Sequence, residues 1–403
     1  MNNTLQCPLC GREDFFRPND FFCPACQQPM WFKPCSVPPQ EFRERTSSSL
    51  EKFSACLPLR TVRPEFSLGE GQTPLIPLNS VGAPGKVWAK LESANPSLSF
   101  KDRGSAVVVQ KAVELGWPAI GTVSTGNMAS STAAYAARAG LSCVLLVKKG
   151  TSPGALVSAA VFRPLLIEVE GDYGQLFRKS YELGRSLKVY FANSVDPLRL
   201  EGYKLAALEI REQLDQAPDY VYVPVSSGGH FLGLYKGFME LKMAGYIDKI
   251  PVMVGVQAAS CAPIARAFEQ GLEKVIKINP GETLAHSIAN PDPPAGDLVL
   301  KLARENQAHL LAISDQEMLA AQSQLARQEG LFVQPESAAV LAAFHQLQTN
   351  FSGLSVLILT GQGLKAAYQP IPDLRNFYQA RVEELPALLN TVLPQTTEKL
   401  KNK

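Results

Sequence analysis

The sequence predicts an α/β protein built on mostly parallel strands. Three observations carry that expectation. Apolar runs of strand length alternate along the chain with longer helix-like segments. The runs are continuous and β-branched, as strands covered on both faces are. Parallel neighbours need crossover connections, and the helical segments between the runs supply them. At 403 residues the chain is too long for one compact core and predicts two or three domains.

The elements follow in order. The first 35 residues are rich in Pro and Cys and show no helical period, so something other than a core of their own must hold them. A polar, basic connector spans residues 41–53. Strand-like runs then appear as VWAKLE from Val87, IGTVS from Ile120, LSCVLLV from Leu141 and PLLIEVE from Pro164. Further ones are YVYVPV from Tyr220, PVMVGVQ from Pro251 and SVLILT from Ser355. Helical patterns occupy residues 103–116, 130–140, 201–214 and 315–330. There is no internal repeat and no low-complexity tract, and the last residues (PQTTEKLKNK) are polar enough to fray.

Composition excludes several classes. Hydrophobic residues make up 46%, charged residues 19%, and the net charge is +2, so nothing electrostatic draws the chain to nucleic acid or an acidic membrane. No stretch reaches the length of a membrane helix, and the start MNNTLQCPLC lacks the pattern of a secretory signal, so a cytoplasmic protein is expected.

Of eight cysteines, Cys7, Cys10, Cys23 and Cys26 form two Cys-x-x-Cys knuckles separated by twelve residues, while Cys35, Cys56, Cys143 and Cys261 are scattered. Two knuckles complete a tetrahedral four-thiolate shell that suits zinc, with iron as the chemical alternative. Four protein ligands leave no open position, so the metal would be structural. Gly11 fits the tight turn that the first knuckle needs.

The stretch from Asn95 to Gly104, NPSLSFKDRG, is the most informative. It leaves the strand VWAKLE through a Pro-centred turn and leads into a helix, which puts Lys101 at the helix's N-terminal edge. Open N–H groups and the positive dipole end oppose a second positive charge there and favour the neutral amine. A neutral lysine can form a Schiff base with an aldehyde cofactor and can move protons on a substrate. Ser124, Thr125, Gly126, Asn127 and Met128 crowd hydroxyls and an amide at a second helix start, a place for a carboxylate. Ser226, Ser227, Gly228, Gly229 and His230 follow a third strand, where backbone amides could turn toward a phosphate. Thr360 ends the strand SVLILT and offers one hydroxyl at its carboxyl end.

Together these segments resemble the fold-type II pyridoxal-phosphate enzymes (tryptophan synthase β-like), and within them the threonine synthases. The resemblance spans residues 69–365, about three quarters of the chain, and includes GEGQTPL from Gly69, SFKDRG from Ser99, STGN from Ser124 and Asn193-Ser194 with RLEG from Arg199. It continues through Gln257-Ala258-Ala259, PESAA from Pro335, and Thr360-Gly361 with Gly363-Leu364-Lys365. Asp-Arg-Gly directly after the lysine points to threonine synthase rather than to a dehydratase.

The resemblance implies two open, twisted, mostly parallel-sheet domains and a small N-terminal zinc ribbon. The ribbon would take residues 1–45, the large cofactor-binding domain residues 46–103 and 205–403, and a small mobile substrate domain residues 104–204. It implies pyridoxal 5′-phosphate carried on Lys101, with Phe100 beside it, Asn127 on the cofactor's 3-oxygen, residues 226–230 on its phosphate, and Thr360 toward the pyridine nitrogen. The loop Ser124, Thr125, Gly126 and Met128 would take the substrate carboxylate. Asn193, Ser194 and Arg199 would take the phosphate of O-phosphohomoserine, which reacts with water to give threonine and phosphate. A homodimer is implied as well.

Three positions depart from the family pattern. Ser226-Ser227-Gly228-Gly229-His230 replaces a Gly-Asn-x-Gly-Asn loop, Met128 stands where Thr is common, and Leu98 stands where Gly precedes Ser-Phe-Lys, a change expected to act on local packing. The rival readings are another fold-type II lyase or β-replacement synthase acting on serine, threonine or a phosphorylated amino acid, and a catalytically silent homologue acting as a binding protein.

Overall fold

The structure, a computed structural model, describes residues 3–35, 48–151, 153–171, 173–347, 353–365 and 391. Residues 41–47 of the connector and the whole polar tail PQTTEKLKNK lie outside the described residues.

Each apolar run named above forms a strand, and the strands sort into two sheets. One has six strands in the order His309–Ile313, Val252–Ala258, Tyr220–Pro224, Ser355–Leu359, Val87–Leu91 and Leu75–Pro77. Neighbours pair in parallel except at the last edge, where Leu75–Pro77 runs antiparallel to Val87–Leu91. Pro77 is tolerated there because an edge strand need not donate on both sides. Ser355–Leu359 lies inside this sheet and is buried along its whole length, which is why its sequence is an unbroken apolar run. The second sheet is wholly parallel, in the order Leu165–Val169, Ser142–Lys148, Ala119–Val123 and Val189–Phe191.

Helices start where the sequence supplies caps. Asp196 accepts from the Leu198 N–H ahead of the helix Pro197–Leu214, and Pro197 sits at a position whose N–H would be unused. Ser314 and Glu317 form a reciprocal capping box at Asp315–Glu329. Between the large sheet and the helices lies a fully buried charge network. Glu209 binds Lys90 at 2.6 Å and Arg103 at 2.5 Å, and Arg103 also binds Glu92 at 2.6 Å.

The N-terminal arm forms a three-stranded antiparallel sheet, Glu13–Phe15, Thr4–Gln6 and Trp31–Phe32. It has no core of its own, yet it is held by one. Leu5, Phe21, Met30 and Phe32 are buried in the same apolar cluster as the body. Phe21 meets Tyr181 edge-on with ring centres 5.2 Å apart. Asn19 caps the strand Val189–Phe191, donating to the Val189 carbonyl at 3.0 Å and accepting from the Phe191 N–H at 2.8 Å. An arm too small to bury its own apolar surface buries it against the body.

Candidate active site

Three adjacent parallel strands of the large sheet, Tyr220–Pro224, Ser355–Leu359 and Val87–Leu91, open their carboxyl ends side by side. Open parallel sheets bind ligands at that edge. The first strand leads through Ser226 and Ser227 into the helix Gly229–Met243, and the second ends at Thr360. The third turns through residues 92–100 into the helix Lys101–Glu114, whose first residue is the lysine. That turn is sewn to the middle strand: the Phe100 N–H donates to the Thr360 carbonyl and the Gln362 N–H to the Leu98 carbonyl, both at 3.1 Å. Leu98 adopts φ +64° with its side chain 40% exposed, so its departure from Gly acts through backbone strain and not through packing.

Lys101 sits under aromatic cover. Its Nζ lies 4.2 Å from the centre of the Phe100 ring and 5.9 Å from that of Tyr203. Burial, and behind it the charge of Arg199, pull the Lys101 amine down to about 7. The neutral amine expected from the helix start is therefore produced chiefly by desolvation. His230 stacks on Phe100 with ring centres 3.8 Å apart and meets Tyr203 edge-on at 5.6 Å. Burial, then the charges of Lys101 and Arg103, hold the imidazole well below its usual range and keep it neutral.

The loop before His230 is shaped by its glycines. Gly228 takes φ +95°, open to glycine and strained for other residues, and a Cβ on Gly229 would lie 2.1 Å from the Ser194 carbonyl oxygen. The backbones of Gly229 and Ser194 thus touch, while Gly228 packs against Ala295 and Val299. The first amides of the helix Gly229–Met243 have no intrahelical acceptor and no side-chain cap, and Ser226 and Ser227 directly precede them in the chain. Ser227 Oγ also accepts from Asn290 Nδ2 at 2.9 Å.

The small sheet brings the remaining candidates. Ala119–Val123 and Val189–Phe191 are neighbours. The first leads through Ser124, Thr125 and Gly126 to the helix Asn127–Ala139, with no side-chain cap on its first amides. Met128 is buried, whereas Ser124, Thr125 and Asn127 are half-buried and Gly126 is exposed. The second strand leads through Asn193 and Ser194 to the helix of Arg199. Asn193 is committed to the protein: its Oδ1 accepts from the Val123 N–H at 2.8 Å and its Nδ2 donates to Ser180 Oγ at 2.9 Å. Arg199 is fully buried and donates to the Ala192 carbonyl at 2.7 Å, Ser105 Oγ at 3.0 Å and Thr132 Oγ1 at 2.8 Å. All three acceptors are neutral, and among the described residues Arg199 has no ion-pair partner. A buried guanidinium in that state is costly and favours an incoming anion.

A family model described as pyridoxal-phosphate dependent enzyme matches residues 66–361, which include every one of these loops. The chain belongs to that family. It is 37% identical over 323 residues to a threonine synthase of Methanocaldococcus jannaschii, covering 78% of this chain and 80% of the relative. A threonine synthase of Synechocystis is 36% identical over 336 residues, 82% and 86% of the two chains. Among solved structures, a maize serine racemase superposes with a TM-score of 0.61 at 18% identity, covering 72% of this chain and 89% of that one. The solved neighbours share the fold-type II architecture, as the sequence predicts.

The residues present fit the family's cofactor. Ser99 Oγ, Ser194 Oγ and both ring nitrogens of His230 are buried without a hydrogen-bond partner among the described residues. Buried polar atoms left so are costly, and a polar group bound beside Lys101 would satisfy them. Thr360 Oγ1 shares a 2.8 Å hydrogen bond with Ser337 Oγ, and Asn127 Nδ2 donates to Gln334 Oε1 at 2.7 Å while keeping a second hydrogen. Gln334 and Tyr203 escape a motif reading of the sequence, and Ser337, though inside the quoted motif, is given no role there. Gln334 directly precedes the quoted motif PESAA, and Tyr203 lies one helical turn beyond Arg199, which is the signal that could have found them.

At the N-terminus the sulfurs of Cys7, Cys10, Cys23 and Cys26 lie within 4.8 Å of one another. Cys7 and Cys26 are 3.3 Å apart, Cys10 and Cys23 3.6 Å, and Cys10 and Cys26 4.0 Å. A tetrahedron with metal–sulfur bonds of about 2.3 Å has edges of about 3.8 Å, so the cluster has the dimensions of a four-thiolate site. Both knuckles turn alike: the Gly11 N–H donates to the Cys7 carbonyl at 2.9 Å and the Gln27 N–H to the Cys23 carbonyl at 2.8 Å.

Proposed function

We propose that this chain is a threonine synthase, converting O-phosphohomoserine and water to threonine and phosphate. The carrying observation is Arg199, a buried cation whose hydrogen-bond acceptors are all neutral, with the Asp196 carboxylate acting on it only at longer range, set between the helix of Lys101 and the carboxylate-loop helix. The names and identities of the curated relatives support the same reading.

Lys101 would carry pyridoxal phosphate, Phe100 and His230 would flank it, and the amides and hydroxyls of residues 226–230 would hold its phosphate. Asn127 would serve the 3-oxygen, and Thr360 would meet the ring nitrogen with a neutral hydroxyl, giving a milder electron sink than a carboxylate would. When bound, the cofactor supplies the electron sink that lets a proton leave the carbon bearing the substrate's amino group. The first amides of the helix Asn127–Ala139, with Ser124, Thr125, Gly126 and Met128 around them, would anchor the substrate carboxylate. Arg199, with Ser194 beside it and Asn193 bracing the strand ends, would hold the phosphate that leaves. The Lys101 amine, brought down to about 7 and so able to exist in both forms near neutral pH, would take and return protons on the substrate carbons. Movement of residues 104–204 against residues 46–103 and 205–403 would shut bulk water out of all but the hydration step.

The same proposal takes zinc in the four-cysteine cluster of a ribbon over residues 1–45, on the tetrahedral dimensions of the sulfurs. Four ligating thiolates suit a reducing, cytoplasmic setting. A homodimer rests on the family resemblance alone.

The test is turnover of O-phosphohomoserine, O-phosphoserine, serine and threonine, reading threonine, phosphate and oxo-acid. Threonine and phosphate in equal amounts from O-phosphohomoserine alone support the proposal. Oxo-acid from unphosphorylated serine or threonine, with O-phosphohomoserine untouched, replaces it by a dehydratase and gives the departures at Met128 and His230 their meaning.

A further inference from the structure

A cleft of about 510 Å³ opens where the N-terminal arm meets the body, lined by Phe32, Cys35, Cys56, Pro58 and Glu201 among others. It lies apart from the loops around Lys101. Two of the four scattered cysteines share its wall. The Cys56 thiol is within hydrogen-bonding reach of the Cys35 sulfur. That sulfur also lies 3.8 Å from the carbonyl of Ala55, the neighbour of Cys56.

Both cysteines are fastened to one buried ionic cluster. The Cys35 N–H donates to Glu240 Oε1 at 3.2 Å, and the Cys56 carbonyl accepts from Lys204 Nζ at 2.7 Å. Lys204 pairs with Glu201 at 2.5 Å and Glu240 at 2.8 Å, and Lys236 pairs with Glu201 at 2.8 Å. Lys204 belongs to the helix that carries Arg199, and Lys236 to the helix that follows the loop 226–230.

We propose that Cys35 and Cys56 form a thiol modification site, at which a small hydroperoxide entering the cleft is reduced and a disulfide closes between arm and body. The two sulfurs are suited to different parts. Donation from Cys56 is the main cause that brings Cys35 down to about 7, with burial and the charges of Glu240 and Glu201 opposing and Lys204 helping, so near neutral pH a sizeable share of Cys35 is thiolate. The same contact and burial push Cys56 up, which keeps it protonated until it is needed. Both line the cleft, but Cys35 is half-buried and the more accessible, whereas Cys56 is buried.

The chemistry balances. The Cys35 thiolate attacks one peroxide oxygen, the O–O bond breaks, hydroxide leaves and the sulfur becomes a sulfenic acid. The Cys56 sulfur then attacks Cys35, the S–O bond breaks, and water leaves with the Cys56 proton. The two sulfurs together lose two electrons and the hydroperoxide gains them. With hydrogen peroxide the products are the disulfide and two waters. This site does not depend on which amino acid the enzyme uses.

The experiment treats the metal- and cofactor-loaded protein with one equivalent of hydrogen peroxide at pH 7, caps remaining thiols, and maps peptides without reduction. The expected product is a Cys35–Cys56 cross-link, lighter by about 2 Da, that dithiothreitol reverses. It should form at least about ten times faster than oxidation at Cys143, whose thiol burial pushes up to about 12, or at Cys261. The Cys56→Ser protein should instead accumulate a sulfenic acid on Cys35 that dimedone traps. The proposal fails if Cys143, Cys261 or the four clustered cysteines oxidise first, or if Cys35 reaches the sulfinic acid without a cross-link. The wild-type time course decides these outcomes even if Cys56→Ser does not fold.

Discussion

Replacing Arg199 by Ala removes three hydrogen bonds from a charged donor and leaves Ala192 O, Ser105 Oγ and Thr132 Oγ1 without it. Two effects then compete for the phenotype. One is structural and weakens every substrate alike. The other is the loss of the only partner proposed for the substrate's phosphate that carries a charge. Losing a buried charged hydrogen bond costs about 2 to 5 kcal/mol, and about 2 kcal/mol already corresponds to roughly 30-fold. Arg199→Ala should therefore weaken O-phosphohomoserine binding, and lower its kcat/KM, by about 30-fold or more. Binding of unphosphorylated homoserine, followed by the change it causes in cofactor absorbance, should shift by less than about threefold, because homoserine lacks the dianion. Arg199→Lys should recover part of the loss, since an ammonium keeps the charge but not the planar fork. Equal losses for both ligands would mean that Arg199 only braces the two helices and the strand end it touches, and the phosphate reading would fall.

Three further outcomes are expected. Lys101 must be neutral to capture the cofactor aldehyde, so capture by the apoprotein should rise as pH increases through about 7 and level off above it. An ordinary lysine would show that rise near about 10; stopped-flow absorbance against pH decides, and borohydride should fix the label on the peptide of Lys101 and on no other. Metal analysis should find one zinc per chain, lost in Cys23→Ser. Because Asn19 and Phe21 dock the arm on Val189–Phe191 and Tyr181, that loss should also lower the melting temperature of the body, not only of the arm. Leu98→Gly should raise stability by about 1 kcal/mol in urea unfolding, since φ +64° is strained for leucine and free for glycine.

The features legible in the order of residues are those that lie close together along the chain. Lys101 at the junction of a strand and a helix, the Gly228-Gly229 turn, and the two cysteine knuckles are each written within a few residues, because a turn or a knuckle is a local requirement of the backbone. The alternation of apolar runs and helices likewise dictated a parallel α/β architecture, since continuous β-branched runs must be covered on both faces. Which strand ends open side by side emerged only on folding, and that order, Tyr220–Pro224 next to Ser355–Leu359 next to Val87–Leu91, is what brings His230, Thr360 and Lys101 into one place. Folding also set the state of each group. Asn193 spends its amide on Val123 and Ser180, Gln334 reaches Asn127, and Asn19 ties the arm to the small sheet across 170 residues of sequence. The reason is physical: a residue type states which bonds it can make, whereas burial and partners, which set its charge and its free valences, exist only after distant segments have packed.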